Sequence, residues 1–227
     1  MRNSLKESAA DKLGARNRAF LRFIGKDKIK NKIILDIGCG LAWFEYQNRK
    51  VAKKIWAIDK NEKHIEQNKK FFKDKKVVFI KGSALKIPLK NESVDMVVAS
   101  EVIEHIPKKT ESIFFREVRR VLKKKGNLFL STPNDHLMVK LFDPAWYFGH
   151  RHYNHKELRK IAEKERLQTK TYQISGAWWS ILGLINMYVA KWVFGRRKFL
   201  ENFFEEKELK ESQSSGFMNL FMAFEKK

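Results

Sequence analysis

Asp36, Gly38, Gly40 and Asp59 are the residues whose types and spacing first suggest chemistry. Residues 34–42 read Ile-Leu-Asp-Ile-Gly-Cys-Gly-Leu-Ala, and 23 residues after Asp36 a second apolar run, Ile55-Trp56-Ala57-Ile58, ends on Asp59. The run 33–37 has the length of a buried strand, two closely spaced glycines let backbone approach a ligand, and the helix that follows offers free N–H groups at its start. An acid closing the next strand can grip two ribose hydroxyls. The pair therefore has the form of a site for a nucleoside cofactor. Downstream, Gly82, Ser83, Ala84 and Leu85 follow the apolar run 77–80, and Ser100, Glu101, Glu104 and His105 follow the run 94–99.

These residues need a sheet to bring them together, and the chain alternates accordingly. Strands are expected at 33–37, 55–59, 77–81, 94–100, 127–132 and 217–225, with helices at 4–26, 42–53, 61–72, 110–124 and 155–166. The βαβ rhythm predicts an α/β fold with a largely parallel sheet. Leu5, Ala9, Leu13, Phe20, Phe23 and Ile24 form the apolar stripe of the first helix, which Gly14 weakens. Thr110 and Gly126 are the expected caps of the helix at 110–124, with Phe114, Val118, Val121 and Leu122 facing inward.

The Asp-Ile-Gly-Cys-Gly turn and the Glu-His-Ile segment at 104–106 resemble the class I S-adenosylmethionine-dependent methyltransferases, in particular their small-molecule and quinone-biosynthesis subgroup. The resemblance covers roughly residues 30–165 and a last strand near the C-terminus. It implies a Rossmann-like, seven-stranded, mostly parallel sheet with helices on both faces and the last strand antiparallel beside the fifth. One domain then spans 1–227: an N-terminal helix to 30, a cofactor-binding core at 31–135, a substrate-side half at 136–175 and 213–227, and a helical insertion at 176–212. It also implies S-adenosylmethionine as cofactor and S-adenosylhomocysteine as product. By the same resemblance Asp36, Gly38, Cys39, Gly40 and Ala42 belong to the methionine end, and Asp59 with Lys60 to the ribose. Ser83, Ala84 and Leu85 belong to the adenine, and Ser100 and Glu101 to the mouth where the methyl group leaves. The family often has Asp where Ser83 stands, and a hydroxyl replaces only part of a carboxylate's acceptor capacity. The other reading of Asp59, a helix N-cap before Asn61-Glu62-Lys63, is compatible with the ligand role.

Methyl transfer needs mainly in-line positioning of the acceptor. Where the acceptor is a hydroxyl, His105 is the candidate base, its ordinary pKa of about 6.5 suiting neutral pH; the alternative is a histidine that only bonds backbone after the fourth strand. Glu101, Glu104 and His105, with His150 or His152, also resemble the metal set of the small-RNA 3′-terminal 2′-O-methyltransferases, and such ligands suit Mg²⁺ or Mn²⁺. The segment 149–158 instead has the His-x-Arg-x-aromatic form of the small-molecule enzymes, and no Asn/Asp-Pro-Pro-Tyr stands after the fourth strand, which argues against methylation of an exocyclic base nitrogen. The favoured reading is O-methylation of a hydrophobic or lipid-like small molecule. Metal-assisted 2′-O-methylation of RNA, and a non-catalytic cofactor- or partner-binding protein, are the alternatives.

The net charge of +22 fits either solvated faces or attraction to a polyanion, whether nucleic acid or an anionic membrane. One cysteine, Cys39, precludes an intrachain disulfide, and Met1 to Glu7 lack the apolar core of a signal peptide, so a cytoplasmic location is expected. Residues 176–194 are apolar but interrupted by Asn186 and Lys191, and Arg196-Arg197-Lys198 follow. On a helical wheel Trp178, Ile181, Leu182, Ile185, Tyr188, Val189, Trp192 and Val193 share one face, opposite Ser180, Gly183, Asn186, Ala190 and Lys191. Residues 176–198 thus suit the inner membrane face, a lid over an apolar acceptor, or packing within the domain or a dimer.

Overall fold

The computed structural model describes residues 13–147, 149–195 and 199–227. The first four sequence-predicted strands form as β1 (Ile33–Ile37), β2 (Lys54–Asp59), β3 (Val77–Lys81) and β4 (Val94–Ser100). β5 (Leu122–Pro133), β6 (Leu167–Ser175) and β7 (Asn219–Lys226) complete a seven-stranded sheet of order β3-β2-β1-β4-β5-β7-β6. β1 to β5 pair in parallel, whereas β7 runs antiparallel between β5 and β6. Ile37 lies beside Ile58 on one flank and Ala99 on the other, so the turn after β1, Asp59 and Ser100 share one edge of the sheet.

The central strands are apolar on both faces because helices cover both. Leu35, Ile37, Val97 and Ala99 pack with Phe114 and Val118 of α5 (Glu111–Val121) and Leu158 of α8 (His155–Lys164). Ile34, Met96 and Val98 pack with Phe20 and Ile24 of α1 (Ala15–Ile24), Phe44 of α3 (Trp43–Asn48) and Ile65 of α4 (Glu62–Phe71). Phe20 and Phe23 hold α1 to β7, their ring centroids 5.3 and 5.9 Å from that of Phe221. Short helices α2 (Lys26–Ile29), α6 (Leu137–Phe142) and α7 (Pro144–Tyr147) fill the connections.

Several expectations change. The first helix starts at Ala15 with Gly14 as its N-cap, and a break at Gly25 (φ 83°) separates it from α2; Leu5 and Ala9 lie outside the described residues. Thr110 is the N-cap of α5, but its hydroxyl donates to Pro107 O (2.6 Å) rather than capping the helix. Gly126 does not close α5, because Leu122 already pairs with Val94 and the chain bulges before resuming register at Asn127. A Cβ at Gly126 would sit 2.8 Å from Lys123 O, which a bulged strand with side chains cannot accommodate. β6, with four polar residues in its first five, carries too little apolar alternation to stand out as a strand in the sequence.

The insertion forms α9 (Trp178–Phe194) and α10 (Glu201–Glu211). Burial on its wheel does not follow the apolar face. Ile181 is buried, but so are Gly183 and Ala190 from the opposite side, while Trp178, Leu182, Val189, Trp192 and Val193 face solvent. Small residues and Asn186 let the neighbouring segment approach: Asn186 Nδ2 donates to Phe199 O (2.7 Å) and Phe199 N donates back to Asn186 Oδ1 (3.1 Å). Glu211, at the end of α10, caps the start of α9 by accepting from the N–H groups of Ala177 (2.6 Å), Trp179 (2.8 Å) and Ser180 (3.0 Å), and from the Ser180 hydroxyl (2.8 Å). These bonds meet donors that a helix start otherwise leaves unpaired. Replacing Glu211 by Ala is expected to cost about 1–2 kcal/mol of stability and to speed hydrogen exchange at Trp179 and Ser180 while β1 to β5 stay protected. Unchanged exchange at those two amides would contradict the capping role.

Candidate active site

The sheet order reverses direction between β1 and β4, and the carboxyl ends of the strands there open into a crevice. The turn after β1 folds back on β2: the N–H groups of Gly38 and Cys39 both donate to Ile58 O, at 2.8 and 3.0 Å. Gly38 has φ 72°, and a Cβ there would lie 2.7 Å from Val102 Cγ2, so glycine is demanded by the segment after β4 as well as by the turn. Gly40 N donates to Asp59 Oδ2 (2.9 Å) and Asn61 N to Asp59 Oδ1 (2.8 Å), while His64 Nδ1 stands 3.4 Å from Oδ2. The helix N-cap is Asn61, which accepts from Lys63 N. Asp59 thus clamps the turn to the start of α4 and still faces the crevice.

That crevice is a cavity of about 380 Å³. Gly38, Asp59, Lys60, Ser83, Ala84, Leu85, Glu101 and His105 line it, which unites most of the sequence-predicted site. Asp36, Cys39, Gly40, Ala42 and Ser100 stand behind this lining. Ala42 takes a left-handed conformation (φ 58°) with no exposed surface, and burial pushes the Cys39 thiol up, beyond any nucleophilic use. The Ser83 hydroxyl accepts from Leu85 N (3.1 Å) and so shapes its own turn. Ile37, Asn61, His64, Val102, Ile106 and Pro107 also line the cavity without having been singled out. His64 alone had a readable signal, standing five residues after Asp59 in the first turns of α4.

Beneath the glycine turn lies a group that the sequence concealed. Asp36 and Glu45 are both buried, and among the described residues no N–H or O–H reaches either Glu45 oxygen. Burial, reinforced by the charge of Glu45, holds the Asp36 carboxyl well above its usual range, and burial pushes Glu45 up to about 7. Two acids in one dry pocket share a proton rather than ionise together.

At the mouth, Glu101 has φ 56°, a conformation costly for a residue with a Cβ. Its Oε1 accepts from Ser131 Oγ (2.9 Å), whose oxygen lies 3.1 Å from Ser100 Oγ, and its Oε2 accepts from Arg16 (2.8 Å). His105 N donates to Val102 O (3.0 Å), and its half-buried ring lies 4.7 Å from that of His150. Burial, then the neighbouring His150, lowers its pKa below the ordinary value. Glu104, His105 and His150 bring possible ligand atoms within 4.8 Å of one another; Asp143, His150 and His152 make a second such group, and Glu101 joins neither. His155 stacks on Tyr172 instead (4.1 Å). Arg151 fastens the segment by donating to the carbonyls of Ile103 (2.8 Å), Glu104 (3.3 Å) and Ile106, and to Glu111.

The methyltransferase-domain family matches residues 35–130, the stretch that carries the glycine turn, Asp59, Ser83 and the Glu101–His105 segment. Over 101 residues the chain is 33% identical to a probable S-adenosylmethionine-dependent methyltransferase of Mycobacterium tuberculosis, a match spanning 44% of this chain and 35% of that protein. Residues 35–130 thus match a methyltransferase domain in sequence. A ubiquinone biosynthesis O-methyltransferase of Pelagibacter ubique is 28% identical over 115 residues, 50% of this chain and 47% of that one. The fold of the methyltransferase domain is shared with an S-adenosylmethionine-dependent methyltransferase from Mesorhizobium loti, with a TM-score of 0.67 over 93% of this chain and 98% of that chain at 14% identity. The chain spans about a third to a half of the length of the curated relatives it matches. The relatives are named as S-adenosylmethionine-dependent, and the cavity suits that cofactor: a carboxylate for paired hydroxyls and a glycine for close approach line it, and a buried acid pair stands behind the glycine turn.

The acid pair sets a pH dependence. Glu45 has a raised folded-state pKa, so the stability it contributes is complete below its unfolded value near 4.5 and is lost as pH rises through about 7. The unfolding temperature of the cofactor-free protein is expected to fall between pH 5 and pH 8, and Glu45→Gln to flatten that fall. The same slope in wild type and variant would refute the buried-acid reading.

Proposed function

We propose that this chain transfers the methyl group of S-adenosylmethionine to an oxygen of a hydrophobic small molecule. The observation that carries the reading is a second cavity, of about 270 Å³, next to the first across one ion pair. Glu101 lines the cofactor cavity, Arg16 lines the second, and the two are bonded at 2.8 Å. Leu184, Met187 and Met218 give the second cavity an apolar wall, opposed by the polar and charged side chains of Arg16, Asn17, Ser180, Glu208 and Asn219, a lining that can both bury and orient an acceptor. The name of the Pelagibacter relative, a quinone-pathway O-methyltransferase, agrees with such an acceptor.

When bound, the cofactor supplies a methyl group on a sulfonium, already activated for displacement. Gly38 and Gly40 would admit its methionine end, the Asp36–Glu45 pair would stand behind the ammonium with the single negative charge that a shared proton leaves it, Asp59 would take the ribose hydroxyls with Lys60 beside it, and Ser83, Ala84 and Leu85 would border the adenine. Arg16 and Glu101 mark the passage to the acceptor. His105, with its lowered pKa, is neutral at pH 7 and able to take the proton that an acceptor hydroxyl loses as the carbon–oxygen bond forms. His105→Asn should retain S-adenosylhomocysteine binding and lower kcat by about 10²–10⁴, with the acid limb of kcat/KM in wild type lying below the ordinary imidazole range. Unchanged kcat in the variant would leave His105 a structural residue.

A second reading has one observation behind it. Glu104 Oε1 is buried without a partner beside His105 and His150, an arrangement suited to a divalent ion that would assist transfer to a ribose 2′-hydroxyl of RNA. Full activity in EDTA and no salt-dependent RNA binding would remove that reading; loss of activity restored by Mg²⁺ or Mn²⁺ would favour it over the first.

A further inference from the structure

Among the described residues, α9 has one side that the rest of the chain does not cover. Trp178, Leu182, Ile185, Val189, Trp192 and Val193 recur at the three- and four-residue spacing that aligns side chains along a helix. No charged residue interrupts the stripe, and its members remain open to solvent: Trp178 is 53% exposed, Trp192 60% and Val193 68%. Ile185 is partly covered through α6, whose Val139 packs with Ile181, and one edge of the stripe meets the body where the Trp178 ring lies 5.6 Å from that of Phe217. Leu137 and Leu141 of α6 add further exposed apolar surface next to α9. An apolar stripe about 22 Å long, tryptophan near each end, is more than scattered surface hydrophobes require.

We infer that this stripe seats the protein on the surface of an anionic lipid bilayer. Charge selects that occupant. A second copy of the chain would bring another +22 against the first, whereas acidic headgroups would be drawn to it. Cations stand near one edge of the stripe. Lys207 of α10 lies 5.5 Å from the ring centroids of Trp179 and Phe203, and the sequence between the two helices reads Arg196-Arg197-Lys198, outside the described residues. Tryptophan beside lysine and arginine is the pairing that anchors helices at headgroup depth. The helix lies in the surface rather than across it, since no described helix is long and apolar enough to cross a membrane.

The same helix has its other side on the second cavity, which Ser180, Leu184 and Met187 line. α9 is therefore a partition one helix thick between lipid and the proposed acceptor chamber, through which an apolar molecule dissolved in the bilayer would have a short path. The docking itself does not depend on the acceptor's identity, so it is tested without activity. The full chain is sedimented with vesicles of phosphatidylcholine alone and of phosphatidylcholine with phosphatidylglycerol, alongside a Val189→Glu/Trp192→Glu variant whose fold is checked by S-adenosylhomocysteine binding. Wild type should pellet with the anionic vesicles only, lose that association as salt is raised from about 0.1 to about 0.5 M, and bind at least about tenfold more tightly than the variant. Three results would overturn the inference: no association with anionic vesicles, equal association of the variant, or a wild-type dimer in light scattering that the variant dissociates, which would make a second copy the occupant.

Discussion

The carboxylate of Asp59 is the interaction on which the site depends. Its two oxygens receive the N–H groups of Gly40 and Asn61 at 2.9 and 2.8 Å, and so lock the turn after β1 to the first residues of α4. Without that lock the turn would keep the bonds of Gly38 and Cys39 to Ile58 and the one that Asn68 Nδ2 donates to Gly40 O (2.8 Å). Parallel register supplies the rest. Because Ile37 stands level with Ile58 and Ala99, every following residue emerges at one edge, and the turn, Asp59 and Glu101 converge without long-range adjustment.

The second half of the molecule is built outward from this edge by a chain of packed helices. α1 rests on β7 through Phe20 and Phe23, which places Arg16 against Glu101 at the cavity mouth. Arg22 of α1 donates to Ser212 at the end of α10 (2.7 Å to Oγ), and Glu211 beside it caps α9. An error in the docking of α1 would thus pass through α10 to α9 and alter the acceptor side while leaving the cofactor side nearly as it is. This division agrees with the family match, which covers the cofactor half at 35–130 and leaves the helices around the second cavity outside it. Substrate choice is expected to reside where the resemblance ends.

The cofactor half was legible because its signals are local. The Asp-Ile-Gly-Cys-Gly turn, the apolar runs and the acid after the second run each declare themselves within ten residues, and β1, β3 and β4 form at the bounds expected. Other features depend on contacts that no local pattern encodes. Glu45 looks like a solvated position on a short helix, and only the fold reveals it buried against Asp36. Gly126 looks like a helix stop until the bulge opposite β4 is seen. The wheel of α9 grouped its apolar side chains correctly but could not tell which side the protein covers, because Gly183 and Ala190 bury themselves by being small rather than by being greasy. The alternative metal reading groups Glu101, Glu104, His105 and His150 or His152, whereas the fold gives Glu101 to Arg16 and Ser131.

The most direct test of the central claim is calorimetric titration of S-adenosylhomocysteine into wild type and Asp59→Asn. Asparagine keeps the size of the side chain and an acceptor for the turn but removes the charge proposed to take the ribose hydroxyls. Binding to wild type that is lost or greatly weakened in a folded variant is the expected result. No binding to folded wild type, or equal binding by the two proteins, would contradict the assignment of this crevice to the cofactor.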